Sequence, residues 1–155
     1  MIVCREVSVC RVVEEERVVK FPALRPGIRD QYGTTFPEDL IRTTAHSFNE
    51  RLNRGYEEQG TGPKLMHTGK VDDGIFRTDL VIVESYITTQ DETFPIEQAG
   101  AAEGASLFVP KGSWMVAMRV ISDELWAGVK SGHFRGFSIG GIGETEPEED
   151  DAEAA

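Results

Sequence analysis

Hydrophobic and polar positions follow two periods along this chain. Alternation of period two, or short apolar runs between turn residues, predicts strands over 7–13, 17–24, 75–87, 107–109 and 134–142. The clearest strand is 114–121, where Trp114, Val116, Met118 and Val120 share one face. Glu14, Glu15 and Glu16 mark a turn, and Pro22 points to an edge or a bulge in the second strand. Strict alternation over 80–85 places Val81, Val83 and Ser85 on one face and Leu80, Ile82 and Glu84 on the other. A short strand over 64–68 carries His67, and the polar stretch 88–104 reads as an irregular excursion.

A helical period appears twice. Residues 37–52 carry Leu40, Ile41, Ala45, Phe48 and Leu52 at helical spacing. Thr35 or a neighbour is placed to cap that helix, Pro37 suits its first turn, and Glu38 and Asp39 favour its positive end. A second helix is predicted over 123–130, capped by Ser122 or Asp123 and stopped by Gly132, with Leu125, Trp126 and Val129 on its apolar side. These elements predict a mainly β fold with flanking helices. A small, mostly antiparallel, closed or nearly closed barrel would leave no edge exposed. Residues 1–143 form one domain, and residues 144–155 an acidic disordered tail or the start of a linker.

Charge sharpens that division. The chain has 155 residues, 16 basic and 27 acidic, for a formal net charge of -11. Seven of the acidic groups lie in residues 144–155, leaving 16 basic against 20 acidic residues elsewhere. This balance argues against nucleic acid or an anionic membrane as partner. There is no 18-residue apolar run. Cys4 and Cys10 are too few for a disulfide framework. The first residues lack a signal peptide's pattern, so a reducing cytoplasmic setting is expected.

Candidate chemistry is sparse. Gly136-Phe137-Ser138-Ile139-Gly140 matches the five-residue nucleophile-elbow pattern. That elbow needs the acid and histidine to follow the serine, and no histidine follows Ser138. What survives is a serine among small residues, with backbone room for a substrate and for an oxyanion. A hydroxyl in a tightly packed strand is the alternative. Of the three histidines, His46 lies beside the apolar stripe of the first helix, His133 follows the second helix, and His67 sits between a strand and a turn. None has zinc-ligand spacing. Asp72, Asp73 and Asp79 lack the calcium-loop pattern. No metal and no other cofactor is expected.

Four stretches together resemble the phage serine protease family typified by a product of a defective Bacillus prophage, which is related to prohead maturation proteases and herpesvirus assemblins. They are Asp30-Gln31-Tyr32-Gly33 with Ala45-His46-Ser47-Phe48; Lys64-Leu65-Met66-His67; Val83-Glu84-Ser85-Tyr86-Ile87; and Lys111-Gly112-Ser113-Trp114 through Asp123-Glu124-Leu125-Trp126 to Gly136-Phe137-Ser138-Ile139-Gly140-Gly141. The resemblance implies a serine endopeptidase, in a small barrel, that processes scaffold and other head proteins during capsid maturation. Ser138 would be the nucleophile, His67 the base and Glu84 the orienting carboxylate. Amides of Ile139, Gly140 and Gly141 are the oxyanion candidates. Scaffold and capsid proteins would be the partners, a homo-oligomer such as a dimer the assembly, and the host cytoplasm and the assembling prohead the location. The other function compatible with the resemblance is a catalytically degenerate, structural or chaperone-like head-assembly module.

Overall fold

The computed structural model describes residues 2–8, 11–13, 16–30, 33–54, 62–65, 80–97, 100–131 and 136–142. Its elements run β1 (Ile2–Ser8), β2 (Arg11–Val13), β3 (Val18–Leu24), α1 (Glu38–Arg54), β4 (Gly62–Leu65), β5 (Leu80–Ile87), β6 (Glu92–Pro95), β7 (Ser106–Val109), β8 (Trp114–Val120), α2 (Asp123–Lys130) and β9 (Gly136–Ile142). Three antiparallel sheets result. Their orders are β1-β9-β4, β2-β3-β8-β5 and β6-β7.

The four-stranded sheet holds the core. Its inner strand β8 is buried on both faces up to Met118 because β3 and β5 flank it and other elements cover it. On one face Trp114, Val116, Met118 and Val120 meet Val19 and Phe21 of β3, Ile41, Ala45 and Phe48 of α1, and Trp126 and Val129 of α2. The Phe48 and Trp114 rings meet edge to face at 5.1 Å, a favoured geometry for their quadrupoles. The helical stripe is Ile41, Ala45, Phe48 and Leu52. Leu40 falls outside it and is exposed. On the opposite face Met115 packs with Val109 of β7, against Phe94 and Leu107 of the β6–β7 ribbon.

Local chemistry fixes the joints. Pro22 sits where β3 has run past β2 and its register on β8 shifts, so its missing N–H interrupts no pairing with β2. Ser122 caps α2, its Oγ accepting from Leu125 N at 3.3 Å. Arg17, in the left-handed region at φ 56°, turns the chain from β2 into β3 and donates to Asp123 Oδ1 at 2.6 Å. The turn before β8 is tied to Thr88 at the end of β5. Thr88 N donates to Ser113 O at 2.8 Å, Gly112 N to Thr88 O at 3.0 Å and Ser113 N to Thr88 Oγ1 at 3.0 Å.

Several expectations are corrected. The sheets do not close, so the architecture is mainly β with open antiparallel sheets rather than a barrel. The predicted strand 7–13 is two strands. β1 pairs with β9 and β2 with β3, so the two strands belong to different sheets. β4 lies at the edge of the first sheet and β5 at the edge of the second. The stretch 88–104 contains β6, whose polar residues pair with β7 and present Phe94 to the second core cluster. Residues 66–79, Gly132 and the acidic tail lie outside the described residues.

Candidate active site

The serine strand is the middle of its sheet. β9 pairs along its whole length with β1 and, from Phe137 to Gly140, also with β4. Ser138 stands opposite Glu6 on one side and Lys64 on the other. Alternation places Gly136 and Gly140 on the same face of β9 as Ser138, so the positions next to the serine along the strand carry no side chain.

The oxyanion candidates lie on the same strand. Ile139 faces Arg5 and Pro63, and Gly140 faces Cys4 and Gly62. An inner antiparallel strand turns successive N–H groups toward alternate neighbours. Gly141 is one residue past the last partner in β4 and, among the described residues, is paired only with β1.

Glu84 lies on β5 in the other sheet, where a bulge changes its face. The register on β8 slips between Ile82 and Glu84, so Ile82 stands opposite Met118 and Glu84 opposite Ala117. Strict alternation paired Glu84 with Leu80 and Ile82. The extra residue, Val83, instead puts Glu84 on the face of Val81 and Tyr86, and Ser85 on the core face. Glu84 is consequently exposed, not on the face of Leu80 and Ile82 where strict alternation placed it. Ser85 accepts from Trp114 Nε1 at 2.9 Å. The Val-Glu-Ser-Tyr and Lys-Gly-Ser-Trp stretches thus hold β5 and β8 together, an assignment the sequence did not carry because their partnership is non-local.

His67 and His133 lie outside the described residues, and His46 is exposed on α1. Among the described residues no group of three metal-ligating side chains occurs. No helix of the described residues is long and apolar enough to cross a membrane.

The model of the family described as "Putative phage serine protease XkdF" matches residues 6–147, which takes in the described fold from the last residues of β1 through β9. The chain belongs to this family. It is similar to "Phage-like element PBSX protein XkdF" of Bacillus subtilis (strain 168), with 28% identity over 141 residues that cover 88% of this chain and 40% of that protein. The chain thus spans less than half the length of that relative. No solved structure matches. Membership agrees with the resemblance carried by the four sequence stretches and supports a protease-like role in a phage.

Proposed function

We propose that this domain is a serine endopeptidase that cleaves scaffold and other head proteins during phage capsid maturation, with Ser138 as nucleophile and His67 as its base. The observation that carries the reading is Ser138 at the centre of β9, flanked along its face by glycines, in a chain that belongs to a phage serine protease family. The neutral imidazole of His67 accepts the seryl proton as Oγ bonds to the scissile carbonyl carbon. It returns that proton to the amine as the C–N bond breaks. Water, activated by the same imidazole, then hydrolyses the acyl ester and restores the serine.

Glu84 is the residue we assign to orient His67. An exposed carboxylate is screened by water, so Glu84→Gln is expected to lower turnover by no more than about fivefold. A dimer, working in the host cytoplasm and within the assembling prohead on scaffold and capsid proteins, completes the proposal.

The test is co-expression of the full chain with neighbouring scaffold and capsid proteins, followed by mass analysis. Wild type yields truncated head proteins and Ser138→Ala yields none. Cleavage that persists in Ser138→Ala removes the claim. Tight association without cleavage in either form selects the head-assembly module.

A further inference from the structure

Alternation divides a strand evenly between two faces, but β5 is not divided evenly. At its bulge two residues oppose one, Val83 and Glu84 against Ala117 of β8. The face turned away from the core therefore receives Val81, Val83, Glu84 and Tyr86, and all four are exposed. Among the described residues six large apolar side chains are exposed, and three of them, Val81 at 42%, Val83 at 38% and Tyr86 at 38%, share this strip. A fourth, Ile121, follows β8 two residues past Arg119, which stands opposite Val81. Scattered exposed apolar residues are ordinary, whereas a contiguous strip rimmed by charge points to an interaction site.

We propose that this strip docks an acidic segment of another protein, whose apolar side chains cover Val81, Val83 and Tyr86 and whose carboxylates meet Arg119. The proposal does not depend on the role of Ser138. Charge names the partner first. Arg119 is exposed, and its Nε donates to the main-chain Glu16 O at 3.3 Å. Among the described residues no carboxylate is paired with it. Lys20 reaches from β3 across the small Ala117, and its Nζ lies 4.8 Å from the centre of the Tyr86 ring, which it holds as a platform. Two cations thus flank the strip, against the single carboxylate of Glu84 on it, in a chain whose formal net charge is -11. Such a local reversal of sign selects an acidic partner over a basic one.

Three other occupants fit less well. A few side chains fall far short of the about 800 Å² per partner that a stable dimer covers, so a second copy needs more surface than the strip offers. A bulged edge is a poor template for an added strand. The chain's own residues 144–155 hold seven acidic groups but no valine, leucine, isoleucine or aromatic residue, so they match the charge and leave the apolar strip uncovered.

The test is fluorescence anisotropy of labelled synthetic peptides titrated with the full chain. One peptide alternates valine with aspartate, a second alternates valine with lysine, and a third copies residues 144–155. The valine–aspartate peptide is expected to bind about tenfold more tightly than either of the others. Val81→Thr with Val83→Thr keeps shape and β-branching, and is expected to weaken that binding about tenfold. Arg119→Gln is expected to weaken it about fivefold and to flatten its dependence on salt. Leu40→Thr, which changes an equally exposed apolar residue on α1, leaves it unaltered. Tryptophan fluorescence of the Trp114 and Trp126 core checks folding throughout.

A valine–aspartate peptide that does not bind overturns the proposal. Equal binding of the lysine peptide, or of the copy of residues 144–155, overturns it as well. So does an affinity that the two valine changes leave intact, or that Leu40→Thr lowers as much. An undiminished salt dependence in Arg119→Gln overturns it even where the valine variant does not fold. A wild type that dimerises in sedimentation, and becomes monomeric when the two valines are changed, gives the strip to a second copy and overturns the acidic segment.

Discussion

Gly112 shows how two constraints meet at one residue. It has φ +85°, and a Cβ added there would come within 2.6 Å of Glu38 Cδ. The second obstacle is the end of an exposed, flexible side chain, so the first decides. Gly112→Ala is expected to destabilise the fold by about 1–2 kcal/mol, and adding Glu38→Ala should recover little of it; chemical denaturation of both variants checks this. Ser85→Ala removes the acceptor of the Trp114 indole and leaves a buried N–H unpaired. A loss of about 1–3 kcal/mol is expected in the same measurement. Among the histidines, His67→Ala should abolish cleavage as fully as Ser138→Ala, while His46→Ala and His133→Ala keep most of it, assayed by co-expression. At this scale the serine strand was legible because glycines and alternation coincide around Ser138. The face of Glu84 was not, because nothing in Ile82-Val83-Glu84 marks the extra residue that the register slip inserts.

Between elements, the joints carry testable weight. Arg25 is half-buried, and burial lowers its pKa from the usual value, yet a guanidinium remains charged. Its Nη1 donates to Phe108 O at 2.9 Å and so ties the end of β3 to β7. Arg25→Met keeps the apolar stem and loses that bond. Amides of the β6–β7 ribbon should then exchange hydrogen faster, while amides of β8 keep their protection, as measured by hydrogen exchange with mass spectrometry. Both helices were legible, the first from the period-3.6 stripe of Ile41, Ala45 and Phe48, the second also from its cap at Ser122. β6 was hidden, because Glu92-Thr93-Phe94-Pro95 is polar and ends in proline, and only its pairing with β7 reveals a strand. The break between β1 and β2 was hidden as well, since Val9-Cys10 continues the apolar pattern of both strands.

Across the whole molecule, one core is asked to hold two helices on a sheet. Phe48 joins α1 to Trp114 at its centre. Phe48→Ala should cost about 3–5 kcal/mol, enough to threaten a domain of this size, and thermal unfolding by circular dichroism measures it. The fold class was legible from the count of strand signals. Closure was not, because which strands become neighbours depends on pairings between distant segments. The serine sheet is the extreme case. Its middle strand joins Ser138 to Glu6, partners from opposite ends of the described chain, with Lys64 on the other flank. A ribosome adds about 5–20 residues each second. The strands bearing Glu6 and Lys64 are therefore made well before the strand that unites them. Contacts of such sequence separation also form late and slowly in folding. A nascent chain consequently carries no assembled row around the serine, and biosynthesis itself delays the moment at which the proposed hydrolysis can begin.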